Sequence, residues 1–133
     1  MRRDNLHLTL VFLGNVGCEK IPQLEALAAR QRIPQFDLEF GVAGYWRHNR
    51  IVWAAPVATP ESMRELVAAL ERALKSEGLH FDLRPYVPHI TLLRDARAPK
   101  VLPLLEFEWR VSEFALVESA RGYRVLARWA LEN

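Results

Sequence analysis

Cysteine is nearly absent from this 133-residue chain, and the single Cys18 rules out an intramolecular disulfide. With no second cysteine and no His-x₃-His pair, a structural zinc centre is not expected either. Nowhere do 18 apolar residues run together, so no transmembrane helix is expected. The opening Met1-Arg2-Arg3-Asp4-Asn5 lacks the apolar stretch of a secretory leader, and the cytoplasm is the expected setting. No stretch is of low complexity and none is long enough to act as a linker. An excess of one charge is missing too. A net formal charge of +2 is compatible with an anionic ligand but does not mark a nucleic-acid coat.

What is present is an ordinary globular composition, 50% hydrophobic and 26% charged. At this length the chain, residues 1–133, is expected to form one domain with a real core. Its local patterns alternate between two periods. Residues 6–13 form an apolar run closed by Gly14-Asn15 and read as a buried strand. Ile21, Leu24, Leu27 and Ala28 recur at helical spacing within residues 20–32, with Pro22 tolerable in a first turn. Residues 36–40 alternate as a half-exposed strand. Residues 41–49, rich in glycine and aromatics, predict a loop or hairpin tip, and residues 50–55 another buried strand. Thr59-Pro60-Glu61 is a helix-start signal with Thr59 as N-cap. Met63, Leu66, Val67, Leu70 and Leu74 then continue to a stop at Gly78. Short strands follow at 81–83, 87–93, 106–117 (with a break allowed) and 123–130, and Pro99 and Pro103 mark a connector. The expected class is α+β, in two pseudo-symmetric lobes of antiparallel sheet with helices outside and a central cleft between them.

That symmetry is suggested by a repeat. His7-Leu8-Thr9-Leu10 returns as His89-Ile90-Thr91-Leu92. Residues i and i+2 of a strand share a face, so each copy sets an imidazole beside a hydroxyl. An imidazole titrates near pH 6.5 and can give or take a proton at neutrality. Two of them facing one cleft could divide the work, one as base on water and one as acid on a departing oxygen. Threonine hydroxyls can hold phosphate oxygens, and Arg94 could grip phosphate in a fork. Strict alternation sets Arg94 opposite Thr91, so a bulge, bend or strand end is needed between them. No metal or cofactor is required by this chemistry.

A lone His-x-Thr is more often structural than functional; the repetition is what favours a site. His48 and His80, without such partners, are expected at the surface. Tyr45 and Trp46 are candidates for stacking a base, whereas Trp53 reads better as core. Arg121, Arg124 and Arg128 read as a solvated face.

With their flanks, Asn5-Leu6-His7-Leu8-Thr9-Leu10-Val11-Phe12-Leu13-Gly14 and Arg84-Pro85-Tyr86-Val87-Pro88-His89-Ile90-Thr91-Leu92-Leu93-Arg94, the motifs resemble the 2H phosphoesterase superfamily. Within it, the chain is most similar to the RNA 2′,3′-cyclic phosphodiesterases of the 2′-5′ RNA ligase family. Weaker support lies in Arg50-Ile51-Val52-Trp53 and Tyr123-Arg124-Val125-Leu126. The resemblance implies a bilobed fold and metal-independent opening of a 2′,3′-cyclic phosphate, on RNA ends or nucleotides, to a 2′-phosphate. It makes His7 and His89 catalytic and Thr9, Thr91 and Arg94 substrate-binding. By that analogy His7 protonates the ribose O3′ and His89 activates water, a direction the sequence leaves reversible. Family members usually carry a strand and helix ahead of the first motif, and this chain starts six residues before His7. Either the true start lies upstream, or the first lobe lacks that unit and exposes an edge and part of its core.

Three other functions compete. The same histidines would serve 2′-5′ ligation of RNA ends by microscopic reversibility. A non-catalytic nucleotide- or RNA-binding domain would keep the cleft without turnover, and a structural protein would carry the motifs by coincidence. Nothing in the pattern sets an oligomeric state.

Overall fold

A computed structural model describes residues 6–102, 106–120 and 122–133. The class is α+β. Four strands form one antiparallel sheet in the order β3-β2-β1-β4: β1 is Phe36–Trp46, β2 Ile51–Pro56, β3 Ile90–Leu93 and β4 Phe107–Val111. Strands β5, Glu113–Glu118, and β6, Arg124–Ala130, pair in a second, two-stranded sheet. The helices are α1, Ile21–Ala29, and α2, Glu61–Ser76. Phe36, Leu38 and Phe40 of β1, with Ala54 of β2, turn one apolar face toward Leu24 and Leu27 of α1 and Met63, Leu66, Leu70 and Leu74 of α2. Burial of this contiguous set is the main favourable term in folding. A hydrogen-bonded pair ties the helices: Glu77, just past α2, accepts from Gln23 at 3.1 Å and from Arg30 at 2.8 Å.

Several expectations need correction. Residues 41–46 are strand, not loop, because an irregularity between Phe40 and Val42 lets β1 bend at Gly41 and keep pairing with β2 to Trp46. The hairpin tip is only residues 47–50. Helix α1 ends at Ala29, short of residue 32, and its last carbonyls are taken up by the tighter bonds of Arg30 and Gln31. Helix α2 is capped by Pro60 without a side-chain bond, and Thr59 lies outside it. Residues 81–83 form no strand; Asp82 N–H donates instead to Phe12 O at 2.8 Å. The expected strand 87–93 begins only at Ile90, after two prolines that carry no N–H for a ladder. The break allowed in 106–117 falls at Ser112 and sends β4 and β5 to different sheets. Residues 6–13 make a single antiparallel bridge, Leu8 to Ile90, rather than a regular strand. Pro103, marked as part of a connector, lies outside the described residues.

The end of α2 shows how local chemistry terminates an element. Gly78 adopts φ +72°. Its N–H reaches Lys75 O at 3.1 Å, and Leu79 N–H reaches back to Leu74 O at 2.9 Å. These two bonds satisfy the last carbonyls as a Schellman motif does, and both Leu74 and Leu79 are buried beside it. A Cβ on Gly78 would meet nothing within 4 Å, so its only cost is conformational. Gly78→Ala is expected to destabilise the protein by about 1 kcal/mol, the left-handed penalty for an L-residue, as read from urea unfolding midpoints.

Candidate active site

The bridge between Leu8 and Ile90 decides which side chains meet. Its register puts His7 opposite Thr91 and Thr9 opposite His89, with Leu8 and Ile90 turned together to the core. His7 and His89 are then diagonal neighbours on the other face, with Cβ atoms on the order of 7–8 Å apart. His7 and His89 are half-buried, Thr9 is exposed and Thr91 is buried at 7% exposure.

Strand β3 continues this face into the sheet. Thr91 pairs with Trp53 of β2, which pairs with Gly44 of β1. Trp46 pairs with Ile51 and so belongs to the same side. The Trp53 ring lies flat over Gly44: a Cβ there would sit 2.2 Å from Trp53 Cζ2. Trp46 contacts Trp53 at a centroid distance of 5.3 Å and meets the His89 ring at 4.7 Å, nearly perpendicular. The three rings make a wall with His89 at its end. Trp53, expected in the core, is half-buried in this wall, and its indole N–H is covered without a hydrogen-bond partner.

Each histidine is further held. His89 Nδ1 lies 2.9 Å from Val87 O. A carbonyl only accepts, so Nδ1 carries the proton and Nε2 presents its lone pair when the ring is neutral. His7 packs against the Tyr123 ring at 4.1 Å. Tyr86 donates its hydroxyl to Thr9 O at 3.0 Å, tying the approach to the second motif onto the first. Burial pushes the Tyr86 phenol well above its usual range, so it remains a donor at any ordinary pH. Arg84 is engaged with Asp82, whose two oxygens accept from Arg84 Nε at 3.0 and 2.9 Å. The guanidinium holds that carboxyl down to about 2, so the pair stays charged until pH falls through that value.

Arg94 follows the end of β3 and is exposed. The ladder there is irregular: Trp53 pairs with Thr91 but Val52 with Leu93, leaving Leu92 as an extra residue. That shift alters the parity up to Leu93, and Arg94 stands just beyond it in a bend. Tyr45 does not join Trp46. Adjacent residues of a strand face opposite ways; Tyr45 pairs with Val52, and its hydroxyl donates to Ala96 O at 2.8 Å. His48 and His80 are exposed. Arg124 and Arg128 are exposed and paired with Glu118 and Glu113; Arg121 lies outside the described residues. Among the described residues no group of three His, Cys, Asp or Glu side chains could hold a metal ion. A cavity of about 110 Å³ beside Leu13, Lys20 and His80 holds none of the motif residues. Sequence reasoning missed Gly44, Tyr86, Tyr123 and the Val87 carbonyl; Tyr86 and Tyr123 stood in the flanking segments, but with no signal of their contacts.

The sequence profile of the 2′-5′ RNA ligase superfamily matches residues 1–122. The chain belongs to that superfamily. It is 44% identical over 135 residues to an RNA 2′,3′-cyclic phosphodiesterase of Escherichia coli, covering 96% of this chain and 77% of the relative. A relative of the same name from Thermus thermophilus is 37% identical over 145 residues, covering 96% and 73%. Among solved structures, E. coli LigT complexed with 3′-AMP superposes with a TM-score of 0.85 at 41% identity, over 98% of this chain and 79% of that one. In this superfamily member the aromatic wall depends on one missing side chain. Gly44→Ala is expected to displace Trp53 and, through Trp46, His89. Near-UV circular dichroism should lose the signal of the packed tryptophans while the far-UV spectrum stays unchanged.

Proposed function

We propose that this chain hydrolyses 2′,3′-cyclic phosphates on RNA ends or nucleotides, leaving a 2′-phosphate, by acid–base catalysis between His7 and His89. The observation that carries the assignment of roles is the contact of His89 Nδ1 with Val87 O at 2.9 Å. It favours the tautomer whose Nε2 can accept a proton. His89 is therefore the base that takes a proton from water as the water oxygen bonds to phosphorus. The P–O3′ bond breaks, and His7, protonated, donates to the departing O3′. Thr9, Thr91 and Arg94 bind the non-bridging oxygens, where positive charge and donors matter most as the phosphorane forms. Trp46, beside His89, holds that ring and offers a surface for stacking a base. No metal or cofactor takes part.

The relatives' names support the substrate class, and the motif register supports the constellation. An antiparallel pair is two-fold symmetric about its partnered residues, and the Leu8–Ile90 bridge supplies such a centre. The bilobed arrangement, with one motif in each lobe, is part of this proposal. So is a single domain over 1–133, because one buried cluster joins both helices to strands of both sheets. Among the described residues no helix is long and apolar enough to cross a membrane, and a cytoplasmic setting belongs to the same proposal.

Because one histidine must be neutral and the other protonated, kcat/KM for a 2′,3′-cyclic nucleotide is expected to follow a bell with limbs between about pH 5 and 8. His7→Ala and His89→Ala should each lower kcat/KM at least about 10²-fold. The double variant should lose far less than the product of the two, since the pair acts as a unit. Arg94→Lys should slow turnover, because a point charge does not reproduce a bidentate fork. Chelators should leave the rate unchanged. Activity that survives loss of either histidine, or that EDTA abolishes, would overturn this reading.

A further inference from the structure

Two short segments of this chain carry its net positive charge. The chain has 18 cationic and 16 acidic side chains. Residues 47–50 and 94–97 hold four of the cations, Arg47, Arg50, Arg94 and Arg97, against the single carboxylate of Asp95. Everywhere else 14 cations meet 15 carboxylates, so the remainder sums to −1 and this patch to +3.

Two hydrogen bonds join the two segments, and a third ties the second segment to β1. Ala96 N–H donates to Arg50 O at 3.0 Å, Arg50 Nη2 to Asp95 O at 3.2 Å, and Tyr45 Oη to Ala96 O at 2.8 Å. Arg50 and Asp95 both adopt left-handed backbone, φ 57° and 52°, the turn geometry that lets the segments meet. The Arg47, Arg94 and Arg97 side chains are exposed. The patch also begins at the candidate active site. Trp46, whose ring touches His89, immediately precedes Arg47, and its ring lies 6.2 Å from that of His48 on the tip. Cations interleaved with rings at the mouth of a site suit a flexible polyanion whose bases can stack.

We infer that the hairpin tip 47–50 and the segment 94–97 form a track for single-stranded RNA, gripping the phosphates upstream of the terminal one. This rests on the reading that the site acts on a phosphate at an RNA 3′ end: a cyclic phosphate closes that end, so the rest of the polymer must leave on its 5′ side. The track therefore acts on the polymer behind the reacting end and not on the cyclic phosphate itself. Arg47 and Arg97 are the residues of the track that stand outside the catalytic set.

The test uses the Arg47→Gln/Arg97→Gln double variant of the full chain. Binding of a labelled single-stranded RNA 10-mer is followed by fluorescence anisotropy from 50 to 200 mM salt. Each lost phosphate contact should flatten the plot of log affinity against log salt by about 0.7, hence about 1.4 for two, roughly sevenfold in affinity across that range. Turnover of a 2′,3′-cyclic mononucleotide should stay within about twofold of the parent, as neither residue contacts the reacting atoms. An unchanged salt slope in the variant, or RNA binding by the parent that ignores salt, would overturn the track. If the parent fails to turn over the cyclic mononucleotide, the catalytic reading falls, while the anisotropy result still decides whether the patch binds RNA.

Discussion

One backbone pairing carries the candidate site. The bridge between Leu8 and Ile90 is an isolated one, yet it fixes the register of both motifs at once. A slip by a single residue would turn His7 and Thr9 into the core and bring Leu8 out, because side chains alternate with a period of two. What opposes the slip is the apolar side of the same segments. Ile90 is buried, and Leu8, Leu10 and Leu92 pack against the core cluster. The hydrophobic core therefore holds the register, and the register sets the polar face. Tyr86 adds a second tie by bonding to Thr9 O, close to the bridge.

The rest of the site is built from departures from regular sheet. Two irregularities, at Gly41 in β1 and at Leu92 in β3, each add one residue and invert the parity beyond it. The first brings Gly44 and Trp46 onto the face of Trp53; the second lies just before the end of β3, where Arg94 follows. Gly44 then allows an indole to lie flat where any side chain would collide with it. The wall of Trp53, Trp46 and His89 thus depends as much on an absent Cβ and an extra residue as on the rings themselves.

Much of this was legible in the chain, and the failures share a cause. Helix α2 could be read from its apolar spacing and from Gly78, because both signals are local. The motif residues could be singled out because they repeat. Arg94 had the wrong parity for a regular strand, and an irregularity at Leu92 and the end of β3 at Leu93 both lie between it and Thr91. By contrast, Tyr45 and Trp46 looked equivalent in sequence, and only pairing with β2 shows that they face apart. Gly44 and the Val87 carbonyl gave no signal, since their roles exist only once Trp53 and His89 are in place. Residues 6–13 had the composition of a buried strand, but composition does not say how many neighbours a strand will find.

The prolines of the second motif show how an interrupted ladder can serve chemistry. In a continuous strand the Val87 carbonyl would be engaged by a neighbouring N–H. Pro85 and Pro88 have no N–H to sustain such a ladder, and regular pairing starts only at Ile90. The backbone before that point can curl so that the carbonyl of residue 87 reaches the Nδ1 of residue 89, a local contact that fully extended strand geometry would not bring together. The same feature that shortens β3 supplies the acceptor that fixes the His89 tautomer. A neutral ring so oriented leaves the lone pair on Nε2, and Trp46 packs edge-on against the ring at 4.7 Å. The loss of sheet hydrogen bonds here is thus coupled to a single tautomer of the His89 ring, the one that the proposed role of general base calls for.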